Sequence, residues 1–200
     1  MREELQETSV DALFTRGEAD RLLARPKAQE ELEKICKSER GDHRLRVLAH
    51  ELLLMLGKNP DPKMVKIYGE ALSGAFMYNW WALPGHHLGK LGESFIRFGD
   101  AAIPHLVKEM DNPELMTTYL GPDAPICRQM RYCVGDLAAY LGALILDREF
   151  LDSDDPEERL KARMIFRDEL QEKLNSEKNS KNVKKKEAVE AKEAKKAAGK

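Results

Sequence analysis

Apolar residues recur at three- and four-residue spacing through most of this chain, the signature of helices that bury one face. The sharpest case is Gly99 to Pro113, where Ile103, Leu106, Val107 and Met110 form one stripe. Asp100 stands where a side-chain cap belongs, Pro104 falls in the first turns, and Asn112-Pro113 ends the run. Upstream, residues 1–25 carry Leu5, Val10, Leu13, Phe14, Leu22 and Leu23, which predict one or two short helices broken at Gly17 and stopped before Pro26. Lys27 to Lys37 predicts a helix with Leu32 and Ile35 inward. The next has Leu45, Leu48, Leu52, Met55 and Leu56 as its buried stripe and Gly57 as its stop. After Asn59-Pro60-Asp61-Pro62, Lys63 to Phe76 reads as a helix with Met64, Ile67, Ala71, Leu72 and Ala75 inward. An aromatic bend, 76–85, leads into a returning helix from His86 to Phe98.

The partner of the Asp100 helix is expected from about Pro125 to Leu146, with a nearly continuous face of Val134, Leu137, Ala138, Leu141, Leu144 and Ile145. Within it Gly135, Ala139 and Gly142 leave room for close approach of another helix. A last helix begins near Pro156, a residue favoured at a first helical position, with Ser153, Asp154 or Asp155 as cap. Leu160, Met164, Ile165, Leu170 and Leu174 are expected to close the stack, while Arg159, Lys161, Arg163, Arg167 and Asp168 face water.

Helices in pairs need neighbours to cover their oily sides. Leu56-Gly57 and Leu141-Gly142 end similar runs that each follow an Arg-rich start, and they lie two periods of ~42 residues apart, within the range of HEAT and armadillo repeats. Gly99–Pro113 followed by Arg131–Ile145 resembles the two helices of a HEAT repeat. The resemblance departs from the usual pattern at Leu115 to Cys127, where a long connection with Tyr119, Gly121 and two prolines replaces a tight turn. It implies an all-α fold, a short α-α superhelix of about three helical hairpins with a C-terminal capping helix, and a scaffold that binds partners on a concave face. The division expected is an N-terminal helical segment over 1–25, a HEAT-like domain over 26–175 and a tail over 176–200.

Composition adds an asymmetry. The chain of 200 residues is 42% hydrophobic and 34% charged with a net charge of −2. Residues 176–200 hold nine Lys and four Glu, so a tail of +5 follows a body of −7. Cys36, Cys127 and Cys133 are odd in number and unpaired in spacing, which argues for reduced thiols and against a disulfide framework or zinc cage. Met1 to Gln6 shows no signal-like apolar run, and the longest runs, Leu52–Leu56 and Leu137–Leu146, fall short of the ~20 residues a bilayer requires. A cytoplasmic protein without a membrane span is expected; a leader already removed would leave the same beginning.

Most motif chemistry fails on inspection. His50-Glu51 opens like a zinc-protease helix, but Leu54 stands where the second histidine belongs. Gly85-His86-His87-Leu88-Gly89-Lys90 is one residue short of a phosphate loop, and Leu91 replaces the hydroxyl. No Glu-x-x-His pair supports a di-metal bundle. His86 and His87 could join His105 or a carboxylate around a metal, but adjacent side chains on a helix point ~100° apart and do not easily reach one ion, and Cys127 and Cys133 read as core thiols. Asp136, inside an apolar helix, is expected to pair with Arg128, Arg131 or a helix end. No catalytic residue, cofactor or metal ligand is therefore assigned.

Two stretches remain as candidate interaction sites. Tyr78, Trp80 and Trp81, with Phe76 in the bend, and Tyr119 in the long connection are candidates for holding a protein partner. The bend serves equally well as a hydrophobic plug, which its lack of Lys and Arg favours. The tail is too poor in large apolar residues to pack, predicting disorder or a transient helix. Lys184, Lys185, Lys186, Lys192, Lys195 and Lys196 are its candidate contacts for nucleic acid, diluted by Glu187, Glu190 and Glu193. The leading expectation is a non-enzymatic scaffold for a protein partner. The alternatives are nucleic-acid association through the tail, and an enzyme on a HEAT-like scaffold, for which Asp136, His105 and a tyrosine in one cleft would be the mark.

Overall fold

The computed structural model describes residues 1–38, 42–74 and 78–198, with side chains to residue 180. Among these the chain is mostly helical: α1 Arg2–Glu7, α2 Val10–Thr15, α3 Glu18–Leu23, α4 Ala28–Lys37, α5 His43–Met55, α6 Met64–Leu72, α7 Lys90–Ile96, α8 Ile103–Glu109, α9 Asp123–Met130, α10 Val134–Ile145 and α11 Pro156–Ala198. The all-α class stands. Helix α4 packs on α5, α5 on α6, α6 on α8, α8 on α10 and α10 on α11, while α1 covers α5 and α7 reaches α10. One continuous core runs from Leu5, Val10 and Leu13 at the N-terminus to Leu170 in α11.

Local chemistry sets the helix ends. The Ser9 hydroxyl accepts the Ala12 N–H at 3.1 Å, and Asp42 Oδ1 accepts the Arg44 N–H at 3.0 Å, each satisfying an orphan donor of a first turn. Asp155 does the same for the Glu157 N–H at 2.8 Å, immediately before Pro156. At the end of α5, Gly57 takes φ +78° and the Lys58 N–H returns to the Leu53 carbonyl at 3.1 Å.

Several expectations are corrected. Met55 and Leu56 are 40% exposed, because the α5 stripe turns away from the core in its last turn. Asp100 caps nothing: a short 3₁₀ turn over Gly99–Ala101 delays α8 to Ile103, which leaves Pro104 in the first turn, where no N–H is needed. Of the helix expected from Lys63 to Phe76, α6 ends at Leu72, and Ala75 and Phe76 lie outside the described residues.

The return from His86 is not helical at its start. Ala82–Leu83 (β1) and His87–Leu88 (β2) pair antiparallel, with Ala82 opposite Leu88 and Leu83 opposite His87, so a small hairpin stands in the middle of the helical order. Gly85 turns it at φ +74°. A Cβ on Gly89 would fall 2.4 Å from the Asn79 carbonyl oxygen, and one on Gly92 would fall 2.1 Å from that of Trp81. Of the two glycines in the phosphate-loop look-alike, Gly85 thus serves the turn and Gly89 serves backbone-on-backbone packing.

The long helix expected over 125–146 is two. Arg131, a non-glycine residue at φ +55°, ends α9 with its N–H on the Cys127 carbonyl at 2.8 Å. Residues 114–116 then pair with 132–134: the Met116 N–H meets the Tyr132 carbonyl at 3.0 Å and the Val134 N–H meets that of Glu114 at 2.9 Å. Cys127 and Cys133 consequently belong to different elements.

Helix α11 seats Leu170 and Leu174 inward as expected, but its first half is turned from the expected face. Leu160 and Ile165 are 44% and 63% exposed, whereas Arg159 and Arg163 are 2% and 7% exposed. The inward row is Arg159, Arg163, Phe166, Leu170 and Leu174, and its phase is set by one acidic partner across the interface, Asp136.

Candidate functional site

The aromatic bend is held inside. Tyr78, Trp81 and Tyr119 are buried, and only Trp80 keeps part of its surface, packed on Phe14 with ring centroids 5.2 Å apart. Trp81 stands edge-on to Tyr68 and Phe95 at 6.1 and 6.2 Å, and Tyr78 stacks on Tyr119 at 5.8 Å. The Tyr119 hydroxyl donates to the Ala82 carbonyl. As candidates for direct partner contact, Tyr78 and Trp81 are therefore spent on fixing the bend, while Tyr119, also buried, lines a cavity on its other side. Asn79 ties the bend to the long connection, its amide accepting the Leu120 N–H at 2.8 Å and donating to the Leu120 carbonyl at 3.0 Å. Asp123 takes a second bond from Asn79 and sits 2.9 Å from His87 Nε2.

What that tie creates is a cavity of about 470 Å³ between the 115–117 segment and α9. Met116, Tyr119, Cys127 and Tyr132 form its buried walls, and Leu115, 47% exposed, stands at its mouth with Arg128 and Arg131. Neither arginine makes an ion pair among the described residues. The left-handed backbone at Arg131 places that side chain at the rim, a position sequence pattern alone does not reveal, since glycine is the residue usually read as left-handed.

The walls are electrically quiet. The Cys127 thiol donates to the Met116 carbonyl at 2.9 Å, and burial pushes it up to about 11, so it is a neutral thiol at pH 7. Burial also raises the Tyr119 and Tyr132 phenols above their ordinary range, the latter aided by its bond to Asp152 at 2.5 Å. The cavity thus joins mostly apolar walls to two cations at its mouth.

Searches against protein families, curated proteins and solved structures return no match for this chain.

Two further polar clusters lie in the core. Asp136 Oδ1 accepts from Arg163 Nη1 at 2.7 Å, and its Oδ2 lies 3.5 Å from Arg159 Nε and accepts the Cys133 N–H at 3.0 Å. Asp136 is structurally paired, but its partners are not Arg128, Arg131 or the end of a following helix: they are Arg159 and Arg163 of α11 and the Cys133 N–H at the start of its own helix. Near α5, His50 Nδ1 lies 3.0 Å from the Tyr68 hydroxyl, which donates to Glu51 Oε1 at 2.5 Å, while the Asp61 N–H donates to His50 Nε2 at 3.2 Å. That last bond makes Nε2 the acceptor and so Nδ1–H the donor to Tyr68. Burial pushes His50 down to about 4 and raises Glu51 above the usual carboxylate range.

No group of three or more potential metal-ligating side chains is assembled among the described residues. His87 pairs with Asp123 and His86 lies 3.9 Å from Asp152, while His105 packs against Gly69, where an added Cβ would meet its own at 2.6 Å. Asp136 and His105 are thus engaged with different partners. The tail candidates Lys184, Lys185, Lys186, Lys192, Lys195 and Lys196 lie outside the described side chains; the helix that carries them runs to Ala198.

Proposed function

We propose that this chain is a non-enzymatic interaction module, a short HEAT-like stack of helical pairs, that holds a protein partner by an apolar side chain inserted into the 115–132 cavity. The observation that carries the reading is the cavity itself: about 470 Å³, walled by neutral groups, with an exposed leucine and two arginines free of ion pairs at its mouth. Burying one large aliphatic or aromatic side chain there supplies about 1.5–3 kcal/mol, the scale of an interface hot spot. Arg128 and Arg131 then favour a partner with carboxylates beside that anchor, on a body whose net charge is otherwise negative. The test is capture of a partner by the wild type, by Ala124→Trp, which fills the cavity from a position on α9 that lines it, and by Arg128→Glu/Arg131→Glu. Loss of the same captured protein in both variants, with unchanged circular dichroism, supports the reading. A partner that binds all three equally removes it.

A second reading, nucleic-acid association through the tail, is favoured by the course of α11. Leu174 is the last side chain packed on the core among those described, residues 175–180 are all exposed, and the basic stretch continues the same helix. Binding to single- or double-stranded nucleic acid that weakens steeply with salt, and disappears on truncation after Asn175, supports it; absence of binding at low salt ends it.

A further inference from the structure

Between the second half of α10, the turn at 147–151 and α11 lies a smaller cavity, about 150 Å³, lined by Ala139, Ala143, Arg148, Glu149, Arg159 and Arg163. Two of these cations are buried, and among the described residues Asp136 is the one carboxylate that pairs with both. Arg159 spends its terminal nitrogens on the Ser153 and Met130 carbonyls. Arg163 spends one, Nη1, on Asp136 and on Cys133 Sγ, each at 2.7 Å. Among the described residues the Nε atoms of both arginines are buried without a hydrogen bond, that of Arg159 3.5 Å from Asp136 Oδ2 and that of Arg163 with no acceptor. A buried guanidinium with N–H groups to spare is costly unless an acceptor meets it, and its planar fork suits an oxyanion.

We propose that this cavity binds a small oxyanion of the phosphate type, held by Arg163 from inside and by Arg148 at the mouth. Arg148 is half exposed and now leans on Glu169 at 2.8 Å and on the Phe166 ring, so it is able to turn inward without unfolding anything. Glu149 on the rim opposes the anion and limits the site to ligands that reach past it. The alanines keep the space open: at 139, 143 and 162 any larger side chain would occupy it.

The experiment is thermal unfolding of the full chain in inorganic phosphate, sulfate and glycerol 3-phosphate, each against sodium chloride at matched ionic strength. A tenfold excess over the dissociation constant is expected to raise Tm by roughly 3–5 °C. Arg148→Gln, at a half-exposed position, keeps the fold and is expected to lose at least half of that increment, and Arg163→Lys, which keeps the charge but not the fork, to lose more. A larger rise with glycerol 3-phosphate than with phosphate identifies a phosphorylated ligand, and the reverse identifies the free ion. A rise no greater than chloride gives, or the wild-type increment in both variants, overturns the proposal.

Discussion

Replacing Asp136 by asparagine removes one negative charge and almost no volume. The consequence follows from geometry: Asp136 is the carboxylate that meets both buried cations of α11, Arg163 at 2.7 Å and Arg159 at 3.5 Å. An asparagine oxygen still accepts the Cys133 N–H, now at 3.0 Å, so the helix cap is kept and the charge alone is lost. Breaking a buried pair while its partner stays charged costs about 3–5 kcal/mol, because the remaining ion has neither water nor counter-charge. Against a total stability of about 5–15 kcal/mol for a domain, that is a large fraction. Urea unfolding at pH 7, followed by far-ultraviolet dichroism, measures it. The same measurement on Arg163→Met and on the double variant gives the coupling, expected to be positive and above about 1 kcal/mol. A cost for Asp136→Asn below about 1 kcal/mol, or additivity in the double variant, would refute the claim that this pair sets the seating of α11.

Three other outcomes are expected. His50, held down to about 4 by burial, takes up its proton more readily when unfolded. Its stabilisation is therefore full above the unfolded value of about 6.5 and is lost as pH falls to 4, about 3 kcal/mol in all. The stability difference between wild type and His50→Gln should shrink by that amount from pH 7 to 4, and a difference flat in pH would contradict it. Ile165→Glu should change stability by less than about 0.5 kcal/mol, whereas Leu170→Glu should cost more than about 3, since only the second places a charge in the core; equal costs by urea titration would mean that α11 is seated in another phase. Gly92→Ala puts a methyl 2.1 Å from the Trp81 carbonyl oxygen and should cost about 2–3 kcal/mol, read as a lower urea midpoint; an unchanged midpoint would argue against that close approach.

How much of this was legible depends on whether the cause was local. The stripes of α4, α6 and α8, and the Gly57, Asp155 and Pro156 signals at helix ends, are properties of a few adjacent residues, and they read correctly. Small residues at 135 and 142 also read correctly as places of close approach: a Cβ on Gly135 would sit 2.6 Å from the Met110 carbonyl oxygen, and one on Gly142 would sit 3.2 Å from the Met110 methyl. The failures share a non-local cause. Aliphatic spacing in α11 permits more than one inward face, and the choice fell to Asp136, some 25 residues upstream in sequence. Leu88, Leu91 and Phe95 fit a helix from His86, but the pairing of β2 with β1 claims the first of them. The cavity was visible only as an overlong connection, because its walls are made by 114–116 meeting 132–134 and by a left-handed arginine.

The two regions given roles here are mechanically one. Tyr132 presents its ring to the 115–132 cavity, yet its hydroxyl is bonded to Asp152 and the Arg159 guanidinium lies 4.9 Å over its ring. Arg159 is in turn fixed by Asp136 and by the Met130 carbonyl at the end of α9, whose other residues form the opposite wall. The shape of the cavity is therefore set from behind, by how α11 sits on α10, rather than by the exposed loop in front. A substitution that loosens α11 without touching the cavity, Arg159→Met being the direct case, should weaken partner capture while Arg128 and Arg131 stay in place. Substitution of exposed Thr117 at the mouth should leave the shape intact. If the order of those two effects were reversed, the wall would have to be held by the loop, and the buried ion cluster would be a matter of stability alone.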